Sequence, residues 1–239
     1  MKIVIISDIH GNLDALSALP GVYDELWVLG DLVNYGPDPA AVIDFVSSKA
    51  AVIVCGNHDY SIGFNQDPQC STRFREMAEA TRRYTNSVLS MEHKHFLRHL
   101  PPFVETQRDG TRFYICHAVP SDPLFGYCQA DSPRWLTEVE GLNADIVLVG
   151  HTHVPSVRSI GPRLVVNPGS LGQPKTGSPH ACYAIWEDGK IELKSNSYPV
   201  EPAVAKVQAL PIQDTLRDEL SAILRTGEIP PVENLEEEL

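Results

Sequence analysis

Short apolar runs punctuate the chain, and polar loops follow them. Residues 3–6, 26–29, 51–54, 113–116 and 146–149 have the length and continuity of buried strands. Stretches of helical character lie between several of them, over residues 13–19, 40–48, 74–89 and 133–141. Strand alternating with helix predicts α/β layering for the front half. The back half reads differently. Residues 154–159, 163–167, 182–186 and 191–195 are strand-like, with Gly161-Pro162 and Asp188-Gly189 as turns. That order predicts an antiparallel meander. An amphipathic helix is expected over 212–225, and the acidic tail from Pro230 to Leu239 is expected to be loosely held. The division is a main domain over 1–200, with 201–239 as a C-terminal helix and tail packed on it or trailing from it.

With 239 residues and 43% hydrophobic content, the chain is long enough for one sizeable core. Its formal net charge of -12 argues against non-specific nucleic-acid binding, which needs clustered Lys and Arg. Phosphorylated substrates stay open, because bound metals invert the local charge. The five cysteines are odd in number and form no CxxC pair, which reads as reduced thiols in a cytoplasmic protein. No segment is long and apolar enough to span a membrane, and the chain enters its first strand at Lys2 without room for a signal sequence.

The chemistry-bearing residues sit directly after the apolar runs. Asp8-Ile9-His10 follows the first, Gly30-Asp31 ends the second and Gly56-Asn57-His58-Asp59 ends the third. His117 ends the fourth, and Gly150-His151-Thr152-His153 the fifth. In open α/β sheets, ligands bind at the carboxyl ends of strands. In an extended chain, residues i and i+2 point the same way, so Asp8 with His10, and His151 with His153, can each aim two side chains at one site. The glycines before Asp31, Asn57 and His151 allow sharp turns and close packing. Carboxylate, imidazole and amide oxygen together suit first-row divalent ions such as Mn, Fe, Co, Ni or Zn. Without thiolates the set does not fit a structural zinc site. Each piece alone is weak; the ordered combination at strand ends is specific.

This pattern resembles the calcineurin-like metallophosphoesterase superfamily. It is most similar to the YfcE/MJ0936-like group of small bacterial and archaeal phosphodiesterases, whose second motif is like Gly30-Asp31-Leu32-Val33-Asn34-Tyr35-Gly36-Pro37-Asp38-Pro39. Asn167-Pro168-Gly169-Ser170 extends the likeness to about residue 170. The resemblance implies an α/β (α+β) fold, a four-layer αββα sandwich of two mixed β-sheets flanked by helices. It implies two divalent metal ions per chain, manganese first, at the inter-sheet rim. Asp8, His10, Asp31 and His153 would hold one. Asp31, Asn57, His117 and His151 would hold the other, with Asp31 bridging and His58 as general acid.

Two metals about 3.5–4 Å apart can clamp the attacking and leaving oxygens of an in-line displacement, and they lower the pKa of water held between them. No side-chain nucleophile is then needed, and a histidine has a suitable pKa to protonate the leaving alkoxide. The expected substrate is a small phosphate ester, a monoester or diester, with nucleotides among the candidates. One departure narrows the branch. Serine/threonine phosphoprotein phosphatases carry Gly-Asp-x-x-Asp-Arg-Gly at the second motif. Here Tyr35 stands in place of the phosphate-gripping Arg, and Asn34 in place of the Asp that orients the catalytic histidine. That disfavours those phosphatases and the symmetric dinucleotide hydrolases that share the motif. The rival from another class is a metal-binding scaffold without activity, which has no reason to keep a proton donor at position 58.

Weaker signals remain open. Asn34 and Tyr35 are candidates to touch substrate. The turn-rich segment 167–175 either lines a phosphate pocket with backbone N–H groups and Lys175, or is an ordinary turn with an exposed lysine. Phe125 and Tyr127 either stack on a base or pack. Arg82 and Arg83 read chiefly as a solvated helix face, His93, His95 and His99 as exposed histidines, and His180 as a strand residue.

Overall fold

The computed structural model describes residues 1–230. The expected loosely held tail lies, beyond Pro230, outside the described residues. The five apolar runs form strands as expected: β1 (Lys2–Ile6), β2 (Glu25–Val28), β3 (Ala50–Ile53), β5 (Thr111–Cys116) and β6 (Ile146–Leu148). Before β5 lies β4 (Phe103–Arg108), a polar strand whose half-buried and exposed residues alternate. It is an edge strand with no apolar run to announce it.

The back-half strands are β7 (Ser156–Ile160), β8 (Arg163–Asn167), β9 (Ala181–Glu187) and β10 (Lys190–Asn196). They do not form the expected meander. β7 and β8 pair as a hairpin in one sheet and β9 and β10 as a hairpin in the other. One sheet runs β10-β9-β1-β2-β3 and the other β4-β5-β6-β8-β7. Each is mixed: β1, β2 and β3 run parallel, with the antiparallel pairings of β9 and β10 on one side, and β5, β6 and β8 run parallel with β4 and β7 antiparallel at the two edges. The sheet change falls in the turn-rich segment between Asn167 and Ala181. Turn residues give a hairpin and a crossover the same local signature, so hydropathy alone does not separate them.

Side-chain alternation builds the layers. Ile3 and Ile5 of β1 face inward with Trp27, Phe113, Ile115, Leu148 and Trp186, which fill the space between the sheets. The Trp27 and Phe113 rings meet edge to face at 4.9 Å. Val4 and Ile6 point the other way and pack against the buried face of α1 (Pro39–Lys49). On the second sheet, Cys116, Val147 and Val165 pack outward against Trp135 of α5 (Trp135–Glu138). The result is helix, sheet, sheet, helix.

Two expected helices are short. Residues 13–19 give a 3-10 turn at Asp14–Ala18, which ends because Leu19, before Pro20, is extended (ψ 149°). Residues 133–141 give the single turn of α5. Two helices arise where none was expected. α2 (Asn57–Phe64) starts at the third motif, and α6 (Val200–Gln208) carries Pro202 within its first turn. α4 is Met91–Arg98. α3 (Arg75–Val88), α6 and α7 (Asp214–Thr226) share a separate apolar cluster that also takes in Tyr35. The last helices therefore back the second motif. No helix among the described residues is long and apolar enough to cross a membrane.

Candidate metal centre

The parallel strands of both sheets end at one rim, and the motif residues gather there. Asp8, His10, Asp31, Asn57, His58, His117 and His153 are all buried, with His151 half-buried. Their backbone differs from the extended geometry assumed from the i, i+2 spacing. Asp8, His10, Asp31, Asn34, Tyr35, His151 and His153 all have φ between 48° and 67°, in the left-handed region. Asp, Asn and His tolerate this region better than most residues, yet each such residue outside glycine costs roughly 1–3 kcal/mol. The paired side chains converge because the loops coil, not because they extend.

The glycines make that coiling possible. A Cβ on Gly56 would lie 2.1 Å from Asp31 Oδ1, and one on Gly150 2.0 Å from Ser7 Oγ. Asp59 ties the turn down. Its carboxylate accepts the N–H groups of Asp31 (2.8 Å), Leu32 (2.9 Å) and Gly56 (3.0 Å), so α2 and the second motif are fixed to each other. Burial, with Asp31 adding to it, pushes the Asp59 carboxyl up to about 7. The sequence placed Asp59 in the motif but gave it no role. Its position three residues after Gly56 and its anionic side chain are a capping signal that could have supplied one.

The site atoms fall into two groups. Asp8, His10 and His153 form one; Asp31, His117 and His151 form the other. His10 Nε2 lies 3.1 Å from His153 Nε2, and His153 Nε2 lies 3.3 Å from Asp8 Oδ1. His117 Nε2 lies 3.2 Å from His151 Nδ1, 3.2 Å from Asn57 Oδ1 and 3.2 Å from Asp31 Oδ2. Asp31 Oδ2 is also 3.7 Å from His10 Nε2, so it faces both groups. Its other oxygen accepts the His58 N–H at 2.9 Å.

Hydrogen bonds behind the rings set which atoms face inward. Nδ1 of His10, His117 and His153 meets the carbonyls of Val33 (3.1 Å), Leu29 (2.8 Å) and Gln173 (2.7 Å). A carbonyl accepts only, so Nδ1 carries a proton and Nε2 is the atom turned to the centre, with a lone pair in the neutral ring. Asn57 donates its amide N–H to Pro68 O at 2.7 Å, which leaves Oδ1 facing in. Asp8 Oδ1 is buried without a hydrogen-bond partner. Lone pairs therefore converge with too few donors to satisfy them. This donor set fits divalent cations.

Charge is scarce and contested in the centre. Burial strips hydration from the imidazolium forms and pushes His10 down to about 4, His151 to about 3 and His153 well below the ordinary range. Burial also opposes a charge on His117, but Asp31 in contact and Asp8 nearby lift it to about 9. Burial likewise works against the Asp31 carboxylate, yet His117 and the other imidazoles hold its pKa well below the ordinary value. Asp8, chiefly through burial, rises to about 6.

His58 stands beside the two groups on the first turn of α2, where the sequence suggested a loop. Neighbouring helical positions point apart, so Asn57 faces the centre and His58 does not. His58 Nδ1 lies 2.8 Å from the Asn34 amide nitrogen, and Nε2 lies 3.4 Å from Cys70 Sγ. Desolvation, with repulsion from the other imidazoles, pushes its pKa down to about 3 despite Asp31.

A cavity of about 530 Å³ opens over the centre, within the range of small-molecule sites. His58, His151 and His153 form part of its floor, and Tyr35, Lys175, Phe125 and Tyr127 part of its walls. Asn34 does not line it. Cys70 and Phe74, whose residue types and spacing signal no role, do. The N–H groups of Gly169, Leu171, Gly172 and Gln173 are bound internally, to Asn167 Oδ1, Ser7 O, Asp8 O and Ser170 Oγ. Those N–H groups thus brace the Asp8 loop and are not free to meet a phosphate.

A family model described as the calcineurin-like phosphoesterase superfamily domain matches residues 1–188. The chain belongs to this superfamily. It is accordingly a phosphoesterase, a hydrolase of phosphate ester bonds. Over 229 residues it is 30% identical to the uncharacterized protein MJ0912 of Methanocaldococcus jannaschii, covering 86% of this chain and 91% of that one. Phosphodiesterase YfcE of Escherichia coli is 27% identical over 201 residues, covering 81% of this chain and 91% of YfcE. A symmetrical bis(5'-nucleosyl)-tetraphosphatase of Psychromonas ingrahamii is 42% identical over 67 residues, 25% of this chain and 24% of that enzyme. A crystal structure of a metallophosphoesterase from Sphaerobacter thermophilus aligns with a TM-score of 0.79 at 28% identity, covering 93% of this chain and 98% of that one.

The remaining histidines and arginines of interest lie away from this phosphoesterase centre. His93 closes a capping box with Ser90 and meets Asp44 at 3.1 Å, and the His95 and His99 rings tilt together at 4.1 Å on α4 and its C-cap. Arg82 donates to Asn65 and Arg83 to Glu79, both at exposed positions. His180 is exposed and precedes β9.

Proposed function

We propose that this phosphoesterase hydrolyses small phosphate esters with two divalent ions, manganese first, with iron, zinc, nickel or cobalt as alternatives. Asp8, His10, Asp31 and His153 hold one ion and Asp31, Asn57, His117 and His151 the other. The observation that carries this reading is the convergence of imidazole lone pairs whose far nitrogens are pinned by carbonyls. Asp31 Oδ2, facing both groups, suits the bridging role. When bound, the ions supply an activated water and stabilise charge on the phosphoryl group.

The chain's own residues do the rest. His58 turns Nε2 toward the cavity, where a leaving group would lie, and serves as general acid. Burial keeps it neutral on its own, so the anionic substrate must help it take up the proton it then gives to the leaving oxygen. Asn34 positions it. The amide N–H now faces Nδ1, while Asn34 Oδ1 is buried without a partner. A half-turn of the amide brings Oδ1 to Nδ1–H of the imidazolium. Tyr35 packs edge-on against the His10 ring and tilted against the His58 ring and lines the cavity, and Lys175 offers its ammonium to the phosphate. The aromatic wall of Phe125 and Tyr127 favours esters with a flat group such as a nucleoside.

The test is a screen of p-nitrophenyl phosphate, bis-p-nitrophenyl phosphate and nucleotides, run with the chelated protein and after addition of manganese. Metal-dependent turnover with up to two ions bound per chain is expected. Ion binding without turnover on any ester would instead favour a non-catalytic scaffold.

A further inference from the structure

Lys175 is the only lysine or arginine among the residues lining the cavity. It is half-buried, and among the described residues its ammonium makes no hydrogen bond and no ion pair within 4.0 Å. Its nitrogen lies 4.6 Å from the centre of the Phe74 ring. An aromatic face replaces only part of the hydration that an ammonium gives up on burial. Every other buried cation-bearing side chain on this rim is an imidazole committed to the metal groups or to Asn34. The loop that carries Lys175 is rigid, because Gly172 and Gln173 donate to Asp8 O and Ser170 Oγ and Gln173 O receives the His153 ring. Among the described residues, Lys175 is thus a fixed positive charge without an anion in contact, and it lines the substrate space.

We propose that Lys175 makes the site selective for phosphomonoesters over phosphodiesters. This rests on the phosphoesterase reading of the centre. Near neutral pH a monoester carries two charges on three non-ester oxygens, whereas a diester carries one charge on two. The two ligand groups face two oxygens in either class. The third oxygen exists only in the monoester, and Lys175 is the one cationic donor left to meet it. Tyr35, standing where related phosphatases place an arginine, does not compete: its hydroxyl is directed to Cys70 Sγ at 3.5 Å. Lys175 binds and orients the phosphate and takes no part in proton transfer.

The experiment uses the full chain loaded with manganese, as wild type, Lys175→Met and Lys175→Arg. Calorimetry measures binding of inorganic phosphate and of dimethyl phosphate, and kcat/KM is measured on p-nitrophenyl phosphate and bis-p-nitrophenyl phosphate. A charged hydrogen bond corresponds to about 10- to 100-fold in affinity. In Lys175→Met the ratio of phosphate to dimethyl phosphate affinity, and the monoester-to-diester ratio of kcat/KM, should each fall by about that factor. Lys175→Arg should recover most of both ratios. Thermal midpoints and metal content establish that the variants are folded and loaded. Ratios that stay within about threefold of wild type in Lys175→Met overturn the proposal, as does a wild type that binds both anions equally. A wild type that turns over neither ester but loses its phosphate preference on Lys175→Met would sink the catalytic reading and leave the assignment of Lys175 standing.

Discussion

His58 is buried, pushed down to about 3 and held by a neutral amide, so its acid function depends on its surroundings more than on its own chemistry. His58→Ala should retain metal and lose about 100- to 10,000-fold in kcat on alkyl esters. Esters of p-nitrophenol, a good leaving group, should suffer less; an equal loss on both would show that His58 positions phosphate instead. Asn34→Asp places a carboxylate against Nδ1. An anion in contact favours the imidazolium, so the pKa of His58 rises and the protonated form survives to higher pH. The alkaline limb of the kcat profile should therefore move upward, and a limb that stays put would exclude Asn34 as its partner. Asp31→Asn tests the other end of the centre. The change removes charge facing both ligand groups, so metal analysis should show the two ions lost together, with turnover. Retention of one full equivalent would show that Asp31 does not bridge.

The turns after β1, β2, β3 and β6 work as one unit, because Gly30 abuts Gly56, Gly56 abuts Asp31, and Gly150 abuts Ser7 and Asp8. Gly56→Ala would set a Cβ 2.1 Å from Asp31 Oδ1 and 2.3 Å from its backbone nitrogen. Overpacking of this kind costs about 1–3 kcal/mol. Gly56→Ala should lower the urea midpoint and weaken metal binding, while Gly21→Ala, with nothing within 4 Å, should change neither. Equal behaviour of the two variants would mean that the loops relax without disturbing the centre. These turns also mark where the sequence was readable. Buried strands announce themselves by unbroken apolar runs, and the ligands follow them directly, so β1, β2, β3, β5, β6 and the candidate ligands were legible. β4 was not, since an edge strand needs no apolar run. α2 was hidden because its first turn is made of site residues and not of an apolar stripe. The left-handed backbone at Asp8, His10, His151 and His153 has no local signal beyond residue types that tolerate it. The crossover of segment 168–180 between sheets, and with it the seat of Lys175, depends on contacts with Ser7 and Asp8 far away in the chain.

At the scale of the whole molecule, the buried centre couples stability to pH, and metal should remove the alkaline part of that coupling. Consider the chelated protein. His10 and His151, at about 4 and 3, His58 at about 3 and His153 well below its ordinary value bind protons in the unfolded chain before they do in the folded one. Where the unfolded state holds more protons, stability rises with pH, so these four favour folding increasingly from about 4 to 6.5. Asp8 at about 6 and Asp59 at about 7 act in the opposite sense, since the folded state keeps their protons past the ordinary carboxylate value. The histidines outnumber them, and the net slope is upward. Above 6.5 the histidine contribution is complete. His117, raised to about 9, then holds a proton that the unfolded chain has released, so its stabilisation is lost as pH climbs toward 9. Urea midpoints of the chelated protein should therefore peak between about pH 6 and 7 and decline on both sides. Divalent ions compete with protons for the same lone pairs, and their binding adds stability to the folded state alone. With excess manganese, the ion would displace the proton of His117 into solvent, and the decline between 7 and 9 should disappear. The gap between loaded and chelated midpoints should widen steadily with pH across that window. Two curves that run parallel from pH 6 to 9 would mean that the ions do not use these imidazoles.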